Sequence, residues 1–431
     1  MHQLIAGLLA ALLAATPIGT VGGGLPEPER ITVTGELAKL PEKNWNGLTG
    51  AQMLEDFDYL YQALDENYPY FEVGKRMSGG AGLRDTYAAK REELKDCGSD
   101  MDFFLLLDDW LRTDGASAGH LGVLMPGTPE AFGEVYHELS PGSPYDEAYN
   151  SDKVKKSYGG FGKLFNPVWD RVMAYYGQDT TEEAGQVPNV ETKILEPGKI
   201  AYVNIRSFDM MCYDDDEKTL KGFYKQVADY DHLIIDISEN GGGGMSYFDN
   251  LIMEPNIDEP KTFYFYDLFK NGPMIQKFVG TDKMVREGWC EKADNFPQFE
   301  TFNRKDLGDV DYFIKQEMTE SPSAGQEKMF KGRIWLLVSG RVYSSSEWAA
   351  MVSKATGFAT LVGTQTGGDG IGTDPIPVVL PNSGLIVRFS PIYGVTQEGL
   401  GSEEYGTTPD IVSPEGETPL ETCLRAIREG K

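Results

Sequence analysis

Positive charge is scarce in this sequence. Its 431 residues carry 39 Lys+Arg against 67 Asp+Glu, a formal net charge of −28. So negative a field repels phosphate backbones and anionic lipid surfaces, which excludes nucleic acid as a partner. Histidine is scarcer still, with four residues, His2, His120, His137 and His232. Cysteine also numbers four, and no two are spaced as CxxC, which argues against a zinc or thioredoxin-like site. In an exported chain Cys97, Cys212, Cys290 and Cys423 form up to two disulfides in one of three pairings, or stay as buried thiols. No apolar run after Ala15 reaches the ~18 residues a membrane helix needs, so no span is expected in the mature chain. Internal repeats and low-complexity tracts are absent too.

No Lys or Arg precedes Arg30. Leu4 to Ala15 is continuously apolar and too short to span a bilayer; small residues, Pro17 and a glycine run follow. Residues 1–24 therefore read as a signal peptide and linker, with the α-amino group and His2 supplying the leading charge. An exported protein is expected, periplasmic, cell-surface or secreted. No cysteine follows the run, so a lipoprotein anchor is not expected.

A hydrophobic content of 40% and 25% charged residues suit a globular chain, and the length suits two or three domains. Met53, Leu54, Phe57, Leu60, Tyr61 and Leu64 recur at helical steps, and a second helical block runs from Met101 to Arg112. Residues 48–125 are thus expected to be a helical N-terminal region. Six prolines make 126–190 read as a loop-rich connector. After it, β-rich runs at 199–206, 232–237, 333–339, 359–363 and 385–390 alternate with helical patterns at 216–229, 245–253 and 346–356. That alternation predicts an α/β core over 191–431 with a covered sheet. The polar, aromatic stretch 255–330 reads as an insertion.

Three segments carry the chemistry. In VYSSSEWAA (342–350), serines stand between a buried-type strand and a helix. A serine there is presented at the sheet's end, beside the free N–H groups of the helix, where an oxyanion forms. The same serines equally serve as an N-cap. In HLIIDISENGGGG (232–244), glycines let backbone N–H groups approach a bound group, but no GK[ST] marks a phosphate loop. In TDGASAGHLG (113–122), His120 lies on a Gly-flanked turn suited to a base near neutral pKa. His232 begins a core strand and reads as structural; His137 lies in the Pro-rich stretch and reads as a surface residue. The same turn contains Gly115-Ala116-Ser117-Ala118-Gly119, a G-x-S-x-G string whose preceding helix is the wrong context for a nucleophile elbow.

Together these segments resemble the S41 serine peptidases, which include the tail-specific and tricorn core proteases. The likeness runs over 199–413 plus the His120 region. It rests on GKIAYVNIRSF (198–208), LIIDISENGGGG (233–244), VYSSSEWAA (342–350), LVGTQTGGDG (361–370) and EEYGTTPDIV (403–412). The resemblance implies a crotonase/ClpP-like core and a serine-type endopeptidase acting on peptides or unfolded protein, with no metal or organic cofactor. By position, Ser344 is the implied nucleophile, and Gly242, Gly243 and Ser345 the oxyanion hole. Asp369 stands where the tail-specific branch has its lysine, so the Ser–Lys dyad is absent. The tricorn-like branch uses histidine, which implies His120 as base, with Glu403 as its acidic partner and Glu404 next. No PDZ-like stretch is evident between His120 and Lys199, which weakens strict tail specificity. Two rivals stand beside this reading: a catalytically silent peptide- or ligand-binding protein, and an esterase or amidase built on Ser117. Oligomeric state is not legible.

Overall fold

The computed structural model describes residues 33–175, 188–325 and 327–431. The expected signal peptide lies outside them.

The core is a six-stranded sheet in the order 411–412, 360–363, 333–338, 232–236, 200–205, 190–196. Neighbours are parallel except the Val190–Glu196 edge strand, which pairs antiparallel with Ile200–Ile205. The central runs are apolar at nearly every position because both faces are covered. One face packs Val203, Ile235, Leu336 and Leu361 against the helices Tyr213–Gln226 and Ser345–Thr356. The other packs Tyr202, Ile234, Trp335 and Leu337 against Cys423 and Ala426 of the C-terminal helix Pro419–Arg428. That helix starts with a reciprocal capping box between Thr418 and Glu421, worth about 1 kcal/mol. The predicted α/β core is therefore present, with the helical N-terminal region beside it.

Two expectations need correction. The stretch 126–190 is not a loop up to residue 175: it forms helices Thr128–Leu139, Pro144–Tyr149 and Asp152–Tyr175. Pro129 and Pro144 occupy first turns, where an N–H has no helical partner to lose, and Pro167 is carried inside the longest helix. His137 sits on the first of these helices, exposed, with Nδ1 3.3 Å from Asp146. Second, 255–330 is no mere excursion. Its strands Lys261–Phe269 and Tyr312–Glu320 join Tyr393–Thr396 in a four-stranded antiparallel sheet.

The packing also crosses the expected boundary near 190. A single hydrophobic cluster unites Phe57, Leu60, Trp110 and Phe161 with Tyr266, Phe313, Ile386 and Phe389. Gly122–Val123 pairs antiparallel with Ile386–Phe389, which in turn pairs with Ile376–Val379. This ladder fastens the turn that carries His120 onto the C-terminal half.

All four cysteines are free thiols, and burial raises each of them above the ordinary thiol range. Among the described residues no helix is long and apolar enough to cross a membrane.

Candidate active site

Ser344 is the N-cap of helix Ser345–Thr356 and directly follows the turn after strand Arg333–Val338. Its backbone is held at φ +57°, ψ −125°, a conformation L-residues seldom adopt. Its N–H donates to the Gly368 carbonyl at 3.0 Å, and its own carbonyl accepts from Trp348 N–H at 2.9 Å. The side chain caps nothing. Capping falls away as an explanation of this serine, because its Oγ is not spent on the helix N–H groups.

The two serines after it are structural. Ser345 Oγ donates to the Gly243 carbonyl, and Ser346 Oγ donates to the Asn240 carbonyl at 2.6 Å. They lock the helix start to the glycine loop. That loop is tight: Gly242 and Gly243 have φ of +121° and +142°, and a Cβ on Gly243 would meet the Phe208 backbone at 2.2 Å. Gly242 N–H donates to Asn240 Oδ1 at 2.8 Å. Gly243 N–H has no partner among the described residues.

His120 is brought in from the other side, 7% exposed, on its positive-φ turn. Its Nδ1 is in ion-pair contact with Asp369 Oδ2 and lies 3.0 Å from Ser390 Oγ. Ser390 Oγ donates to Asp369 Oδ2 at 3.1 Å, so its oxygen can accept from Nδ1–H. A carboxylate on Nδ1 fixes the proton there and leaves the Nε2 lone pair free to act as a base. The imidazole lies beside Tyr343, ring centres 5.0 Å apart, and Tyr343 immediately precedes Ser344.

Among the described residues, five non-glycines have positive φ: Ala116, Ser117, His120, Ser344 and Asp369. Three are the serine, the histidine and its carboxylate, and the other two lie on the turn that carries the histidine. Backbone strain of this kind, about 1–3 kcal/mol per residue, persists where surrounding structure enforces it.

The expected acidic partner is displaced. Asp369, not Glu403, touches His120. Glu403 sits one hydroxyl away: Tyr343 Oη is 3.1 Å from Glu403 Oε2 and 3.4 Å from Asp369 Oδ2. Burial, with the charge of Asp369 added, raises the Glu403 carboxyl well above the usual range. Glu404 is an anchor, gripped by Arg76, which also forks onto Asp306. Ser117 stands in a turn after helix Asp100–Thr113, without the strand an elbow needs. Asp369 had a legible signal, its place 25 residues after Ser344; Ser390 and Tyr343 had none, because only folding brings them to His120.

Residues 199–413 match the family model of peptidase family S41. The chain belongs to that family. Two solved structures share the fold over most of the chain. A candidate peptidase from Parabacteroides merdae ATCC 43184 is 19% identical, with 86% of this chain and 96% of that one covered and a TM-score of 0.54. Mature CPAF, in complex with lactacystin, is 13% identical, with 88% and 97% covered and a TM-score of 0.52. At such identities these structures speak for the fold alone. No curated protein matches the sequence.

Proposed function

We propose that this S41 chain is an exported serine endopeptidase whose nucleophile is Ser344 and whose base is His120, oriented by Asp369. The observation that carries the reading is the Asp369 carboxylate on His120 Nδ1, with the imidazole against Tyr343, the residue before a strained serine whose hydroxyl caps nothing. Ser344 Oγ attacks the scissile carbonyl while His120 Nε2 takes its proton. The oxyanion forms against Gly243 N–H and Ser345 N–H, the latter at the positive end of a 12-residue helix. Gly242 serves by shaping the loop, since its own N–H is spent on Asn240. His120 returns the proton to the leaving amine, and water then releases the acyl group. Glu403, its carboxyl raised by burial and by the charge of Asp369, completes the Tyr343 hydrogen-bond bridge behind Asp369. Peptides or unfolded proteins are the substrates this chemistry takes.

A second reading, a protein that binds peptides without cleaving them, draws on one fact: Ser344 Oγ and His120 share no hydrogen bond in the unliganded chain. Catalytic hydrogen bonds often close only on substrate, so the two readings need an experiment. Fluorophosphonate labelling of the wild type, Ser344→Ala and Ser117→Ala separates them. Label lost in Ser344→Ala alone supports the peptidase; a folded wild type that takes no label supports the binder. For export, the support is the apolar run Leu4–Ala15. N-terminal sequencing of the protein from the extracytoplasmic fraction tests it, and retention of Met1 counts against it.

A further inference from the structure

Arg388 is 1% exposed, and its Nε and Nη2 have no hydrogen-bond partner. No carboxylate pairs with it among the described residues, and its guanidinium faces the Phe132 ring, centroid 5.4 Å away. A buried guanidinium with idle donors is costly, and a fork of that shape fits one guest best, a carboxylate.

Its position says where that guest comes from. Arg388 lies two residues before Ser390, which touches His120 Nδ1, so the two share one side of the extended chain. Directly across the ladder from Arg388 is Gly122, two residues after His120. A Cβ on Gly122 would meet nothing within 4 Å. On that side of the strand the position facing Arg388 therefore carries no side chain and is open; on the other side stands Pro377. Tyr149, Tyr343 (which precedes Ser344), Tyr136 and Asp374 all lie within electrostatic reach of Arg388. Asp374 is within electrostatic reach of Arg388 but does not occupy its donors: its Oδ2 accepts from Tyr136 Oη at 3.2 Å, and no ion pair joins the two.

We infer that Arg388 is a specificity-determining residue that receives the carboxylate of an Asp or Glu side chain flanking the scissile bond, through the opening beside Gly122. This rests on the peptidase reading above. It predicts cleavage next to acidic residues despite the chain's net charge of −28, because an unpaired buried guanidinium at short range outweighs surface charges that solvent and salt screen.

The test uses the full chain and peptides with amidated C-termini, differing only by Asp or Glu against Asn or Gln at positions flanking the cleaved bond. Fluorophosphonate labelling is read in parallel. The expected kcat/KM ratio, acid over amide, is at least about 10-fold in the wild type, because the unpaired site rejects the neutral analogue. Arg388→Met should abolish the ratio while label is kept. Gly122→Val, which fills the opening and leaves Arg388 in place, should lower it similarly and guards against misfolding of the first variant. A labelled wild type without acid preference overturns the inference, as does a preference that survives both variants. Cleavage that requires a free C-terminal carboxylate overturns the side-chain assignment. An unlabelled wild type brings down the peptidase reading, and this one with it.

Discussion

At the scale of single residues, the two carboxylates near His120 have different work. Asp369 touches the imidazole; Glu403 is a buried acid behind a tyrosine, raised well above the usual carboxyl range by burial and by the charge of Asp369. Asp369→Asn should lower kcat by on the order of 10³–10⁴-fold, since an amide favours the wrong tautomer. Glu403→Gln should cost less than about 10-fold, because Glu403 reaches His120 only through Tyr343 and Asp369. Steady-state kinetics on one peptide would check both, and a larger loss at Glu403 would reverse the assignment. A third buried acid offers a stability test. Burial raises Glu347 to about 7, and its Oε1 accepts from Thr407 Oγ1 at 2.6 Å. The folded state holds that proton where the unfolded chain has released it. Its stabilisation is full below the unfolded pKa and is lost as pH rises towards 7. Glu347→Gln should therefore flatten the fall in stability over that window and gain about 1–3 kcal/mol at pH 8, read from denaturant midpoints.

At the scale of elements, the site is made where strand ends meet glycine loops and a helix start. Ser345 and Ser346 were legible as part of the serine trio, yet their work is to pin that helix to residues 240–243. Gly243 has no room for a side chain: its φ is +142° and Phe208 backbone fills the Cβ position. Gly243→Ala should displace the loop and remove the oxyanion donor, with activity falling by about 10²-fold or more. Label incorporation and near-UV circular dichroism together would show whether the loop or the whole fold was lost. The elbow-like string at Ser117 fails at this scale, as its preceding helix implies: a motif is a string, and its chemistry needs the strand before it.

At the scale of the molecule, the N-terminal helices do not stand apart from the catalytic half. Arg76 binds Asp306 at 2.6 Å and Glu404 at 2.7 Å, joining three distant parts of the chain. Asp306 is 1% exposed, so Arg76→Met would strand a buried carboxylate; the expected loss is about 2–4 kcal/mol, measurable by urea unfolding. Tyr68 packs edge-on against Phe389 with ring centres 5.6 Å apart, across the same seam. Chain order alone suggested a boundary near 190, since the texture changes there. The packing crosses it because the helices' apolar faces are buried by strands some two hundred residues later.

The local pattern in the amino-acid order was sufficient for much of this protein. Apolar runs such as 333–338 and 232–236 announce covered strands, because only a strand buried on both faces can be apolar at successive positions. Helical spacing placed the helix 50–67, and the ordered motifs singled out Ser344, His120 and the glycine loop as candidates. Prolines in 126–175 were read as loop-formers, because a first-turn proline and a breaking proline look alike until the helix around them is seen. The carboxylate that serves His120 required the fold. Glu403 and Asp369 are both plausible by position; which one reaches Nδ1 depends on where Tyr343 inserts, a contact between segments far apart in the chain. Arg388, buried without a partner, could not be read from its strand at all. Burial and unpaired donors belong to a side chain's surroundings, and those surroundings are assembled from helices and strands that meet only when the chain is folded.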